Sequence, residues 1–69
     1  MTETDIPALA ELLLETALHH GRFEQVAPPH NWWDWYAPYF DARRHGSTPE
    51  QADAVADRYM KETRNVVPR

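Results

Sequence analysis

Five side chains capable of binding a metal surround the first break in the helical pattern of this chain. Imidazole nitrogens and carboxylate oxygens can bind Zn or Fe in a protein without cysteine, and this sequence contains no cysteine. If the helices that flank the break form a hairpin, these side chains converge at its closed end. The sequence thus allows a metal-binding subunit or a metal-dependent enzyme. The candidate ligands are His19, His20, Glu24, His30 and Asp34.

The spacing of this set favours a simpler interpretation, in which the histidines cap helices or lie on the surface. The chain has no His-Glu-x-x-His sequence, the pattern that places two ligands on one helical face. Neighbouring residues of a helix point about 100° apart, so His19 and His20 cannot both serve one site. We therefore expect no resident cofactor, and Zn or Fe remains the alternative.

An acid–base active site needs a pocket that shifts pKa values. A helical unit of 69 residues rarely encloses such a pocket alone. His30 and Asp34 stand four residues apart and can form an orienting pair, but pairs of this kind are usually simple local hydrogen bonds. We assign no catalytic residue and expect no enzymatic activity.

The most distinctive feature is a run of aromatic residues from position 32 to position 40. Aromatic rings provide large contact areas and often dominate the energetics of protein interfaces. On a helix, Trp32, Trp33 and Trp35 point in three directions, and two narrow neighbouring helices cannot cover all three indoles. We expect at least one indole to be exposed, with Trp35 as the outward ring.

The candidate binding surface combines this run with two flanking side chains. It suits a small hydrophobic ligand or a protein partner, so the chain is predicted to be a small accessory or binding module. Two alternatives remain open: the rings are the core of the domain, or they are the subunit interface of a homodimeric structural or antitoxin-like protein. The surface comprises Trp32, Trp33, Trp35, Tyr36, Tyr39, His30 and Arg43.

Three predicted helices position these groups, at about 5–20, 30–45 and 48–63. Apolar residues recur at helical spacing through Ile6, Leu9 and Leu13, and Gly21 suits the residue after a helix end. Pro38 predicts a kink in the second helix, because it removes one hydrogen bond and clashes with the preceding turn. We expect an all-α, three-helix unit.

The starts of two of these helices carry recognisable signals. Thr4 or Asp5 can cap the first helix. Thr48 and Gln51 form the pattern of a capping box at the start of the third helix. The whole chain, 1–69, reads as one domain, with 1–4 and 65–69 as flexible ends.

The charge balance restricts the classes of partner. Eleven acidic residues against seven basic ones give a formal net charge of -4. Nucleic acids and anionic membranes both select basic surfaces, so neither is an expected partner. The longest apolar run is too short for a signal core or a membrane span. These features predict a cytoplasmic bacterial protein.

Four sequence segments carry a family resemblance. They are HHGRFE at 19–24, PHNWWDWYA at 29–37, GSTPEQA at 46–52 and RYM at 58–60. Together they resemble a small actinobacterial helical domain that occurs alone or as the C-terminal extension of some glyoxalase/bleomycin-resistance (vicinal oxygen chelate) proteins. The resemblance spans about 12–62 and implies an accessory or sensor-like helical unit. It transfers no metal-binding residue, because the βαβββ modules that hold those residues are missing here.

Overall fold

A computed structural model describes residues 5–68, which form three α-helices and no strand. The all-α three-helix prediction is confirmed. The predicted flexible segment 1–4, with the alternative cap Thr4, and residue 69 lie outside the described residues. The helices are α1 (Ile6–Glu24), α2 (Trp32–Arg44) and α3 (Pro49–Thr63).

Helix α1 continues through Gly21, so the predicted helix end at that residue is wrong. A glycine inside a helix costs about 0.5–1 kcal/mol relative to alanine. Two residues later, the Phe23 side chain is buried in the core. Burial of a side chain of this size contributes about 1.5–3 kcal/mol, which is enough to extend the helix by one turn.

The buried face of α1 also differs from the predicted one. Thr16, His20 and Phe23 are buried, while Ile6 and Leu13 of the predicted apolar stripe are exposed. This face is buried because it packs on Trp35 of α2. The ring centroids of His20 and Phe23 lie 5.5 and 5.9 Å from that of the Trp35 indole. The Thr16 hydroxyl donates to the carbonyl of Leu12 at 2.6 Å, which satisfies it inside the helix.

Helix α2 begins at Trp32 and runs through Pro38 without interruption. The predicted single helix through Pro38 is confirmed, and the kink at Pro38 stays a prediction. Proline inside a helix costs about 3 kcal/mol. The fully buried rings of Trp35 and Tyr39, one turn apart on the inner face, offset that cost.

Helix α3 provides the small-residue surface that α2 packs against. Ala52, Ala56 and Met60 lie four residues apart and are completely buried. The two alanines let the large rings of α2 approach the α3 backbone closely. The contact between α2 and α3 is the most extensive in the fold, and α1 packs on α2 over a smaller area.

The segment after α3 returns to the core. Asn65 takes a left-handed backbone conformation with φ of 59°, and the Val66 amide donates to the carbonyl of Met60 at 2.9 Å. The Val66 side chain is buried with the core residues. Of the predicted flexible end 65–69, the described part is therefore anchored at Val66.

Within residues 5–68, no helix combines the length and apolar character needed to cross a membrane.

The predicted capping box is present at the start of α3. The Thr48 hydroxyl accepts from the Gln51 amide at 3.2 Å, and the Gln51 side chain accepts from the Thr48 amide at 2.9 Å. We predict that Thr48→Ala lowers the free energy of unfolding by about 1 kcal/mol. Urea unfolding followed by circular dichroism measures the change. The neighbouring Ser47→Ala is the control, and equal unfolding midpoints for both variants would contradict the role of the cap.

Candidate functional site

An open apolar groove lies where the outer side of α2 meets α1. Its volume is about 240 Å³. Trp32 and Trp33 are 55% and 52% exposed, and Leu13 of α1 is 47% exposed. Three large apolar side chains are thus about half exposed to solvent at one place on the surface. The groove is lined by Leu13, Trp32, Trp33, Tyr36, Ala37 and Phe40.

The helical repeat of α2 arranges the rings of this groove in a row. Trp32, Tyr36 and Phe40 are four residues apart, and successive ring centroids lie 4.9 and 6.4 Å from each other. The indole of Trp33 meets that of Trp32 edge to face at 5.4 Å. These contacts hold the rings in place before any partner arrives.

Trp35 lies inside the protein, so its predicted outward position is wrong. It is 1% exposed and stacks on Tyr39 with ring centroids 5.1 Å apart. Its indole N–H donates to Asp57 of α3 at 3.1 Å. Burial raises the pKa of the Asp57 carboxyl group, and the hydrogen bond from Trp35 opposes that rise. The expectation that at least one indole is exposed is confirmed, and the exposed indoles are those of Trp32 and Trp33.

Tyr39 and Arg43 were also predicted to line the binding surface, but both instead bind Glu15 of α1. The Tyr39 hydroxyl donates to Glu15 at 2.5 Å, and Arg43 donates from Nε to the same oxygen at 2.8 Å. A second Arg43 nitrogen donates to the carbonyl of Ser47 at 2.8 Å. Burial and the neighbouring carboxylate raise the pKa of Tyr39, so it stays a hydrogen-bond donor. This network ties α1 to α2.

The structure does not bring the five candidate metal ligands together. His19 donates to Asp53 of α3 at 2.8 Å, and Asp34 pairs with Arg64 at 3.3 Å. Across residues 5–68, no group of three or more histidine, cysteine or acidic side chains could hold a metal ion.

The remaining candidate ligands form a hydrogen-bonded chain. The His20 and His30 Nε2 atoms are 3.0 Å apart, and His30 Nδ1 donates to the carbonyl of Pro28 at 2.8 Å. That donor fixes the tautomer, so His30 Nε2 accepts from His20 Nε2. His20 Nδ1 faces Glu24 at 3.1 Å. Burial lowers the pKa of His20, although the Glu24 carboxylate opposes this. The two Nε2 atoms thus contact each other, while the Nδ1 atoms face the Pro28 carbonyl and the Glu24 carboxylate.

A second surface cavity, of about 410 Å³, adjoins the groove along α2. Its polar lining comes from Asp41, Arg44 and His45 at the end of that helix. The His45 ring donates to the Asp41 carbonyl at 2.7 Å, a local contact within one turn. The His45 and Asp41 side chains are both 75% exposed, so water surrounds this pair, and the groove remains the best-supported site.

Sequence reasoning missed three residues of the groove, namely Leu13, Ala37 and Phe40. The spacing of Trp32, Tyr36 and Phe40 was a signal for the last of these, because residues four apart share a helical side. For Leu13, the apolar periodicity of α1 predicted a position in the core rather than in the groove. No family model, curated protein or solved structure matches this chain.

The Glu15 network predicts how stability depends on pH. Hydrogen bonds from Arg43 lower the pKa of Glu15 below its usual value. In acid the unfolded chain then binds a proton that the folded chain does not, so stability rises with pH there. This contribution is complete above the ordinary glutamate pKa of about 4.3 and is lost as the pH falls through the lower folded value.

We predict that Glu15→Gln destabilises the protein by about 1–2 kcal/mol at pH 7, and that this difference disappears in strong acid. Urea unfolding between pH 2 and about pH 7 measures both values. Glu11→Gln, which changes an exposed carboxylate one turn earlier on α1, is the matched control. If the free energy of unfolding fell in acid by the same amount with and without Glu15→Gln, the assignment would be contradicted.

Proposed function

We propose that this chain is a small helical binding module that presents its aromatic groove to a protein partner. The observation that carries the proposal is the position of Trp32 and Trp33, which lie half exposed beside Leu13 while Trp35 fills the core. The acidic net charge of -4 disfavours a nucleic acid as that partner.

The energetics of the groove support binding. Burial of one large apolar side chain contributes about 1.5–3 kcal/mol, and the groove leaves two indoles without about half of that gain. Tryptophan and tyrosine are enriched among the residues that dominate interface energies. A partner that covered Trp32 and Trp33 would therefore gain most of its affinity from these two rings.

The size of the groove favours a protein over a small molecule. Ligand pockets usually enclose about 300–1,000 Å³ and bury most of the ligand. The groove offers about 240 Å³, and its principal side chains are half exposed. One or two apolar side chains from a partner helix fit this space, as in helix-in-groove recognition. An accessory role beside another domain, which the glyoxalase-related resemblance implies, belongs to the same proposal.

Site-specific photocross-linking tests this function in the cells that produce the protein. Trp33 is replaced by benzoylphenylalanine, and the same replacement of the exposed Arg58 on α3 serves as the control. We expect a discrete protein adduct from position 33 and none from position 58. No adduct at position 33, or an adduct that contains only copies of this chain, would contradict a separate protein partner.

The identified partner then permits a quantitative prediction. We predict that Trp33→Ser weakens its dissociation constant about 30-fold, which corresponds to the loss of about 2 kcal/mol at a central interface residue. Isothermal titration calorimetry measures the change, and Arg58→Ser is the matched control. Equal affinities for the two variants would remove the groove from the interface.

A further inference from the structure

We infer that the outer face of α1 binds the same face of a second copy, with the two helices antiparallel. This dimer goes beyond the proposed function and uses a different surface, since only Leu13 belongs to both. The outer face is the exposed side of α1 opposite Thr16, His20 and Phe23. It consists of Ile6, Ala10, Leu13, Leu14, Ala17, Leu18 and Gly21.

This outer face is continuous and carries no charged side chain. Most of its residues recur at intervals of three and four, so they form a single apolar side along about four turns of helix. Ile6, Leu14 and Leu18 are each more than 60% exposed. From Ile6 to Glu15, α1 has no fully buried residue, and this half of the helix reaches the edge of the core through Leu12. A helix of this kind needs another surface to cover it.

Small residues along the centre of the face indicate that its partner is a helix. Ala10 and Ala17 are seven residues apart, and Gly21 follows one turn later. A Cβ atom added at Gly21 would meet nothing within 4 Å, so the packing within residues 5–68 does not require a glycine there. Small central residues flanked by leucines allow two helix axes to approach closely.

The pattern is complementary to itself in the antiparallel direction. If the two-fold axis passes between Leu13 and Leu14, each of these residues lies opposite the other in the second copy. Ala10 then faces Ala17, and Ile6 faces Gly21. The leucines thus meet at the centre, the two alanines let the backbones approach on either side, and Ile6 fills the space left by Gly21 at each end. The same patch serves both subunits, as a two-fold interface requires.

The exposed area matches what a stable dimer needs. On the outer face, Ile6, Leu13, Leu14 and Leu18 are 47–65% exposed. Together they offer about 400 Å² of apolar surface per copy, close to the roughly 450 Å² expected for a partner in a standard interface. An anionic membrane surface is a poorer occupant, because such surfaces attract basic helices and this chain has a net charge of -4.

Sedimentation equilibrium tests the dimer directly. We expect the wild-type chain to be dimeric at low micromolar concentration and the double variant Leu14→Glu, Leu18→Glu to be monomeric, with association weakened more than about 100-fold. Val55→Glu changes an exposed apolar residue of α3 and should leave the dimer intact. Circular dichroism checks that each variant remains helical. A monomeric wild type, or a double variant that still dimerises, would overturn the inference.

Cysteine cross-linking tests the direction of the helices, since the chain has no cysteine of its own. In the antiparallel arrangement Leu14→Cys lies near the two-fold axis and should form a disulfide between copies. Ile6→Cys should not, because the two positions would be separated by about 22 Å along the helix axis. Efficient cross-linking at both positions would indicate parallel helices instead.

Two further variants keep the outcomes separate. Gly21→Leu fills the space opposite Ile6 and should weaken the dimer even if the glutamate variants fail to fold. Trp33→Ser should leave the dimer unchanged, because Trp33 lies in the groove and outside the outer face. A monomeric wild type that still cross-links a partner through position 33 would overturn only this inference. A dimer without that cross-link would overturn only the proposed function.

Discussion

The stacked rings of Trp35 and Tyr39, which share one core with the alanines of α3, form the contact on which the rest of this fold depends. Both rings are completely or almost completely buried, and both lie on one side of α2. They approach the α3 backbone because Ala52 and Ala56 present only methyl groups. In a chain of 69 residues without cysteine, one dense aromatic contact of this kind must provide much of the stability.

The same contact determines how α1 is held. His20 and Phe23 pack on the indole of Trp35, and Glu15 accepts the hydroxyl of Tyr39. All the buried residues of α1 lie in its second half, where these rings are within reach. The first half places Leu12 at the edge of the core and Leu13 in the groove. It also carries an apolar side that residues 5–68 leave exposed. The stability of the core and the exposure of α1 thus have one origin.

Helix α2 divides its aromatic residues between two roles. The pair Trp35 and Tyr39 faces inward, and the row that begins with Trp32 and includes Tyr36 faces outward. The inner rings are rigid, and the outer rings are arranged by the same helix. A binding surface on this helix is therefore positioned by the core itself rather than by a mobile loop.

Local chemistry in the sequence determined the all-α class, the capping box of Thr48 and Gln51, and the surplus of indole surface. These features depend on neighbouring residues and on helical spacing. Only the tertiary structure decided that Trp35 is the buried indole, that Gly21 lies inside α1, and that His19 pairs with Asp53 of α3. Each of these outcomes depends on the rotation of one helix against another, which is set by how large rings fit beside small residues far away in the chain.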